Sequence, residues 1–482
     1  MAMAAPARKV CAGLASSIGA DVIWKSSRDL KLLILLRFIR LVGYGGTTFI
    51  LALYLSALGF HDIQIGLFMT STLVGDLAIS LVLTYIGDRM GVRFTTIIGA
   101  LLMCVGGIAF AYFENYWLLL IASVVGVINP SANEIDPFKA IEESAIARLS
   151  TTETCTDLFA WWSMLGMLGT AASNMLTGWA LNAFQDAGMK DVDGHRAIFL
   201  GYAAMGLLKL LFSLLLSREV ERGTIQGAEK PERPHADDGS DSVLGAGEDD
   251  DCSAPLLGED WTSDYGAIAT ATGAETAQEL AVESRALFTP SSFDFMWKLS
   301  LAMTFDFVGS GLAQISWMTY FFKREYDMAE GPLGSATFAA GIVSSVMNLA
   351  SSPLSRAIGQ VQTMVVCHTM NSISLLMVSI PGNKYAALFL FIFRIVTREL
   401  DNAPRQAFIS AGVLPEERTS AMGVINIVKT IGSCLGLYLT GLFAGANQFW
   451  LAFIVAGVLK LVYNVFISAF FWRSRRRVPQ EQ

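Results

Sequence analysis

The stretch Gly87-Asp88-Arg89-Met90-Gly91-Val92-Arg93 lies between two apolar runs, Ile63 to Ile86 and Phe94 to Phe113. Each run is long enough to cross a bilayer as a helix, which takes roughly 20 apolar residues. A short glycine-bearing turn with one acid and two arginines between two such spans is predicted to be a cytoplasmic connector, because Lys and Arg accumulate on that side.

Working outward, the 482 residues are 53% hydrophobic and only 16% charged. Soluble domains carry about 25% charged residues, so this balance points to a polytopic membrane protein. Twelve apolar spans of sufficient length are expected, near residues 32–57, 63–86, 94–113, 116–146, 155–184 and 196–217, then 296–322, 333–358, 361–381, 385–412, 420–445 and 448–472. The first 30 residues contain Arg8, Lys9, Lys25 and Arg28 and no apolar stretch of signal-peptide character. That basic tail and Arg473-Ser474-Arg475-Arg476-Arg477 place both ends of the chain in the cytoplasm, which an even number of spans also requires. Lys323-Arg324 would then lie on the outer side, a local breach of the charge rule. The six cysteines are scattered with no close pairs, so neither a disulfide framework nor a metal site is expected.

Residues 218–290 hold 17 Asp and Glu against 5 Lys and Arg, a formal charge of −12, so the rest of the chain is at +4. With Glu248-Asp249-Asp250-Asp251 and scattered Gly, Ser and Pro, this segment reads as a disordered acidic linker. The expected organisation is a cytoplasmic tail (1–31), a six-helix bundle (32–217), the linker (218–290), a second six-helix bundle (291–472) and a basic tail (473–482).

The two sets of spans are related in sequence. Gly206-Leu207-Leu208-Lys209-Leu210 in span 6 returns as Gly457-Val458-Leu459-Lys460-Leu461 in span 12. Thr156, Gly169 and Thr177-Gly178 of span 5 return as Thr419, Gly432 and Thr440-Gly441 of span 11, at a constant offset of 263. Arg40-Leu41-Val42-Gly43-Tyr44-Gly45 matches Asp306-Phe307-Val308-Gly309-Ser310-Gly311, and Ile65-Gly66 matches Leu333-Gly334. Registers repeated in order across two halves indicate an internal duplication.

The turn at Gly87 to Arg93 follows, shortened at its front, the outline Gly-x-x-x-Asp-Arg-x-Gly-x-Arg. It closely resembles the connector between helices 2 and 3 of the major facilitator superfamily of secondary transporters. Asp401-Asn402-Ala403-Pro404-Arg405-Gln406 and Pro137-Phe138-Lys139-Ala140-Ile141-Glu142-Glu143 are similar to a branch of that superfamily found in bacteria and fungi. The resemblance implies an all-α membrane protein with twelve transmembrane helices in two pseudo-symmetric six-helix bundles. It also implies that spans 1 and 7 line a central cavity and that spans 6 and 12 face lipid. Lys209 and Lys460 would then be long side chains snorkelling to the cytoplasmic interface.

Ionisable residues inside spans are candidates for function because burying them is costly. Arg40 lies roughly 12 Å into span 1 and Asp306 roughly 16 Å into span 7, at about 1.5 Å per residue. Being equivalent in the repeat, they are expected to face each other across the central axis, as a structural salt bridge or as a pair open to substrate, with Asp306 as the candidate for proton coupling. Asp76 of span 2 is the alternative partner of Arg40. In span 10, Arg394 and Arg398 share a face near mid-membrane, and Asp401 and Arg405 are one turn apart with the acid first, as an intrahelical pair requires. Glu134-x-x-Pro137 of span 4 matches Asp401-x-x-Pro404 at an offset of 267. Arg40, Asp76, Glu134, Asp306, Arg394, Arg398, Asp401 and Arg405 are therefore the expected substrate or proton pathway. Gly87, Asp88, Arg89, Gly91, Arg93, Glu142, Glu416 and Arg418 are the expected cytoplasmic gate, holding the outward-open state through contacts to helix ends and neighbouring charges.

No phosphate loop, metal-ligand cluster or nucleophile arrangement is present in the sequence, so an enzyme, a cofactor and nucleic-acid binding are not expected. The expected function is alternating-access transport of a small polar or anionic organic solute, coupled to protons or another ion, by a monomer in a lipid bilayer. An efflux antiporter is the alternative, although Gly166-Met167-Leu168-Gly169-Thr170-Ala171-Ala172-Ser173 lacks the proline of the drug–proton exporter signature in span 5. A non-transporting sensor with the same fold is the alternative of another class. The plasma membrane is the default location, and Asp251-Cys252-Ser253-Ala254-Pro255-Leu256-Leu257, close to an acidic dileucine signal, raises a vacuolar or endosomal one.

Overall fold

The computed structural model describes residues 20–126, 128–130, 137–150, 152–217, 220, 288–380, 382–414 and 417–471. The acidic linker, apart from its edges, and the two outermost tails lie outside these residues, as do Glu134 and Glu416. Among the described residues the structure is helical with no strand. A short α1 (Ala20–Lys25) precedes α2 (Arg28–Ala57), α3 (Asp62–Met90), α4 (Val92–Tyr112), α5 (Tyr116–Val125), α6 (Pro137–Leu149), α7 (Thr152–Asp186) and α8 (Asp191–Ser213). The second half comprises α9 (Pro290–Leu312), α10 (Ile315–Tyr326), α11 (Glu330–Ile358), α12 (Gln360–Met377), α13 (Lys384–Glu399), α14 (Asn402–Ala411), α15 (Arg418–Gly445) and α16 (Phe449–Phe471). These make twelve transmembrane spans, six per half. The end of the bundle holding Arg28 and Phe471 is called the near end, and the opposite end the far end.

Three spans expected as single helices are each two. Span 10 breaks at Leu400-Asp401 because the Pro404 ring cannot coexist with a helical carbonyl four residues earlier. Span 4 breaks between α5 and α6, where Pro137 is suited to opening a helix and not to continuing one. Span 7 breaks at Ala313-Gln314, without a proline. Broken helices inside a membrane persist only where the freed backbone groups find partners. Here they do. Tyr202 donates to the Gly126 carbonyl at 2.9 Å, Thr48 to Asn129 at 3.1 Å, and Ser123 to Ile128 at 2.7 Å. Around span 7, Arg394 donates to Ala313 at 2.9 Å and Thr440 to Leu312 at 3.0 Å.

The stretch from Gly87 to Arg93 is less of a loop than its sequence suggests. Helix α3 runs through Gly87, Asp88 and Arg89 to Met90, and α4 starts at Val92, so Gly91 alone is non-helical. Gly91 holds φ 81°, ψ 156°, and the equivalent turn between α11 and α12 is Gly359 at φ 99°, ψ 155°. This backbone region is essentially closed to residues with a Cβ. Gly91→Ala is expected to destabilise the chain by about 1–3 kcal/mol, read as a lowered unfolding temperature in detergent, and an unchanged temperature would show that the turn relaxes.

The halves join where α3 crosses α15 and α7 crosses α11, and α10 packs on α2 at the far end. The glycines matched in the repeat make the two crossings possible. A Cβ on Gly66 would sit 3.0 Å from the Gly441 Cα, one on Gly441 would sit 2.8 Å from the Asp62 carbonyl, and one on Gly334 would collide with the Asn174 carbonyl. One apolar cluster draws on both halves at the far side, with Phe49, Leu51 and Phe68 beside Trp317, Met318, Phe321 and Leu437. Towards the near end the core divides. Leu30, Leu33, Ala145 and Trp162 belong to one cluster of the first half, and Met296, Leu299, Phe408 and Tyr463 to another of the second. A shared core at one end and separate cores at the other describe a bundle closed at the far end.

Spans 6 and 12 turn one stripe outward, including Leu207, Leu211, Val458 and Val465. Their lysines lie on the opposite stripe. Lys209 is 0% exposed and Lys460 3%, so neither snorkels as expected. Each stands three residues after a buried glycine, Gly206 or Gly457, on the packed face of its helix.

Candidate functional site

In the first half, Arg40 of α2 points between α6 and α8. Its Nη2 donates to Glu142 Oε2 at 2.7 Å, and Lys209 Nζ lies 4.0 Å from the other carboxylate oxygen of Glu142. All three side chains are buried. The Phe138 ring lies 5.5 Å from Lys209 Nζ, and the Arg37 guanidinium stacks 3.4 Å above the Trp162 ring, where an aromatic face offsets part of the loss of hydration. Asp76 is set apart from these cations. Asn129 Nδ2 donates to its Oδ2 at 2.5 Å, while Oδ1 receives no hydrogen bond.

In the second half, Asp306 of α9 gathers three donors from three other helices. Lys460 Nζ reaches Oδ1 at 2.5 Å, His368 Nε2 reaches the same oxygen at 2.9 Å, and Arg405 Nη1 reaches Oδ2 at 3.1 Å. Lys460 also donates to Ser310 Oγ at 2.7 Å. Arg405 is shared, because its Nη2 lies 3.5 Å from Asp401 Oδ2. Asp401 is 1% exposed, and neither of its carboxylate oxygens accepts a hydrogen bond. Arg394 is buried one helix away, bonded through Nη2 to the Ala313 carbonyl at the span 7 break, and its Nε has no acceptor.

The halves thus carry the same device with two signs exchanged. Spans 1 and 4 contribute a cation and an acid, spans 7 and 10 an acid and a cation, and the sixth span of each half supplies a lysine. This arrangement overturns two expected pairings. Arg40 meets Glu142, Asp306 meets Lys460, His368 and Arg405, and each pair is closed within its own bundle instead of across the axis. Asp76 takes Asn129 and not Arg40. The physical reason is that an opposite charge close by offsets the cost of burying a charge, and the sixth-span lysines, facing inward, lie 4.0 Å from Glu142 and 2.5 Å from Asp306 within their own halves.

The remaining candidates fall as follows. Asp401 and Arg405 do form an ion pair, across a helix break and not along a continuous helix. Arg398, expected too deep to reach water, is exposed, one turn nearer the near end than the buried Arg394. Glu142, expected at the gate, is buried against Arg40, because α6 restarts at Pro137 and turns this position toward α2 and α8. Arg93 donates to the Leu214 carbonyl at the end of α8, and Arg418 to Ser410 on α14. The side chains of Gly87, Asp88 and Arg89, like Glu134 and Glu416, lie outside those described. Sequence reading missed His368 and both lysines as parts of the site. The stripe of Tyr202, Gly206 and Lys209, and that of Ala456, Lys460 and Tyr463, carried the signal for the lysines.

Lys323-Arg324 also finds an explanation. At the far end, Arg324 Nη1 pairs with Asp62 Oδ2 at 2.8 Å and Lys323 Nζ with Glu330 Oε1 at 3.0 Å. Asp62 and Glu330 open the equivalent spans 2 and 8. Tyr320 adds a hydrogen bond to Asp62 at 2.9 Å, Ser316 donates to the Thr48 carbonyl at 2.5 Å, and Trp179 donates to Ser335 at 2.8 Å. The two basic residues are thus neutralised by the acids they lock.

Comparisons with known proteins bear on the family and the fold. The Major Facilitator Superfamily profile matches residues 33–397 and 299–482. Uncharacterized membrane protein YJR124C of Saccharomyces cerevisiae is 29% identical over 449 residues, 92% of this chain and 94% of that protein. Quinolone resistance protein NorA of Staphylococcus aureus is 25% identical over 195 residues, 40% of this chain and 46% of NorA. Among solved structures, a bacterial homologue of the human lysosomal transporter Spinster superposes with TM-score 0.64 at 16% identity, covering 91% of this chain and 95% of the other. A D-xylose-proton symporter gives 0.66 at 12% identity, with 91% and 96% covered. The nucleoside transporter NupG gives 0.60 at 13%, with 92% and 99% covered. With its profile matched across both halves and its duplicated six-span bundles, this chain belongs to the major facilitator superfamily, and it is a multi-pass transporter of the membrane, not an enzyme.

Proposed function

We propose that this chain carries a small organic solute bearing a negative charge, by alternating access coupled to protons, as a monomer with both ends of the chain in the cytoplasm. The observation that carries the reading is Arg394. A guanidinium cannot shed its charge, yet this one is buried with a backbone carbonyl as its acceptor and, among the described residues, no carboxylate within ion-pair distance. Such a site is completed by an anionic group brought by the solute, as guanidinium–carboxylate and guanidinium–phosphate pairing favours. Arg398, one turn away and exposed, extends the positive field towards the near end. With the far end closed, the near end is the side of entry or release in this state, and the basic segments at both ends of the chain assign it to the cytoplasm. On this reading Asp88, Arg89 and Arg93 serve to hold the opposite state, as their charges in a connector between spans suggest.

An efflux antiporter is the second reading, favoured by the similarity to NorA, which spans under half of that protein. Proteoliposomes holding the full chain decide between the readings. Labelled mono- and dicarboxylates, phosphomonoesters, amino acids and cationic dyes are offered with and without an imposed pH gradient. Accumulation of an anion that rises with an inward proton gradient is expected, and is lost in Arg394→Gln. Gradient-driven movement of the cationic dyes alone would replace the reading with the second, and flux indifferent to the gradient would remove proton coupling.

A further inference from the structure

We propose that the groove between α12 and α13, on the lipid-facing side of the second half, binds a sterol from the leaflet at the far end. The groove measures about 240 Å³ and is lined by Met370, Ile373 and Ser374 of α12 and by Phe389, Leu390 and Phe393 of α13. Its origin lies in a departure from the internal repeat. In the first half the equivalent helices, α4 and α5, meet at glycines. A Cβ on Gly106 would sit 2.7 Å from the Gly126 Cα, and one on Gly126 would sit 2.7 Å from the Ala122 carbonyl and 3.3 Å from the Leu102 carbonyl. The repeat offset is 268 for the third span, as from Gly91 to Gly359, and 267 for the fourth. These offsets carry Leu102 and Gly106 to Met370 and Ser374, and Ala122 and Gly126 to Phe389 and Phe393. Four of the six lining residues thus stand where the first half has its close crossing. Two phenylalanines in place of alanine and glycine hold the helices apart, and the space so opened is the groove.

The lining selects the occupant. Val366, Met370, Ile373 and Met377 form an exposed apolar stripe along α12, so the groove is continuous with the lipid-facing surface and what fills it comes from the bilayer. The Ser374 hydroxyl donates to the Met370 carbonyl at 2.8 Å, so the one polar side chain of the lining is already satisfied. On one wall the Phe389 and Phe393 rings lie 22° from parallel with centroids 6.2 Å apart, a flat surface. Met370 and Ile373 make the opposite wall ragged. A sterol has the same two sides, a flat face of fused rings and a face bearing angular methyl groups. It is also rigid, so it gives up little conformational freedom on binding, whereas an acyl chain gives up much. Tyr385 shares a stripe with Phe389 and Phe393 at four-residue spacing, about 6 Å and 12 Å beyond them towards the far end at about 1.5 Å per residue. It is exposed at the start of α13 beside Lys384, where a tyrosine marks the membrane–water interface and can meet the sterol hydroxyl. None of the lining residues belongs to the candidate solute pathway. On the packed side of the same helices Asn371 donates to the Arg394 carbonyl at 3.0 Å, so a bound sterol braces the pair of helices that carries Arg394.

The test needs no transported solute. The full chain is placed in phosphatidylcholine nanodiscs with cholesterol bearing a diazirine on its ring system, and labelled peptides are identified by mass spectrometry after illumination. Labelling is expected at the lining residues of α12 and α13, to fall under an excess of unlabelled cholesterol, and to persist under the same excess of phosphatidylcholine. Ile373→Trp, which fills the groove, is expected to cut that labelling about tenfold. Ser374→Gly with Phe389→Ala and Phe393→Gly, which gives the second half the close crossing of the first, should do the same. Absence of labelling, labelling that unlabelled cholesterol does not displace, or sterol labelling spread equally over Val458 and Val465 of α16 would overturn the proposal. A phosphatidylcholine with the diazirine on its acyl chain that labels the groove as strongly would make the occupant an acyl chain and overturn it too. If the triple variant fails to fold, undiminished labelling in Ile373→Trp is sufficient to reject the site.

Discussion

Replacing Asp306 with Asn is expected to abolish transport and to destabilise the folded chain by about 3–5 kcal/mol, the usual penalty for removing one partner of a buried ion pair. Three donors converge on this carboxylate from helices 62, 99 and 154 residues away, so its loss leaves Lys460, 3% exposed, with Ser310 as its remaining polar partner. The penalty resides in the orphaned cation more than in the missing bond. Lys460→Met in the same chain is therefore expected to restore much of the stability while transport stays lost. Thermal unfolding in detergent of both single variants and the double variant gives the coupling energy between the two sites. Additive losses in that cycle would show that the pair is not the unit holding α9 to α16. In the other half Glu142 is bonded to Arg40 at 2.7 Å and lies 4.0 Å from Lys209, so each bundle holds its buried charges within itself.

Gly334→Val is expected to have the second large effect, on the balance between states. Where α11 crosses α7, a Cβ at this position would meet the Asn174 carbonyl. Overpacking of this kind costs about 1–3 kcal/mol, and the strain is present only while the far end is closed. A difference of that size between two states shifts their populations by about 5- to 150-fold. The variant should insert normally, favour the state open at the far end, and turn over slowly. A cysteine introduced at Thr319, which in the closed form donates to the Phe49 carbonyl at 2.7 Å, should become more reactive towards an impermeant thiol reagent than in the parent background. Equal reactivity in the two would show that the crossing tolerates the added methyl groups. Gly66→Val, at the equivalent crossing of α3 on α15, should behave alike.

Both effects bear on how much was legible in the chain itself. The residue pattern at Gly87 to Arg93 and the order of apolar spans identified the fold, because a bilayer imposes a length and a polarity on every helix that crosses it. The duplication was legible too, and its matched glycines turned out to mark the helix crossings, since close approach requires the same small residue in both halves. Gly91 and Gly359 show the same logic at the turns, where φ of 81° and 99° excludes other residues. Breaks at Pro137 and Pro404 could be anticipated from proline, whereas the break at Ala313 could not, because it depends on Arg394 and Thr440 reaching across from other helices.

Pairing of the charges was decided only by the tertiary structure. A sequence shows which ionisable residues lie within spans and what burying them would cost. It does not show which of several candidates comes within 3 Å, because partners lie tens to more than a hundred residues apart and depend on helix rotation. A few tens of degrees at α8 and α16 separate a lysine that snorkels into lipid from one that closes an internal ion pair. Sequence by itself therefore determined the twelve spans, the two related halves and the set of residues able to do the work. Packing determined that Arg40 answers to Glu142 and Asp306 to Lys460, His368 and Arg405, because only the folded bundle sets the distances over which buried charges can satisfy one another.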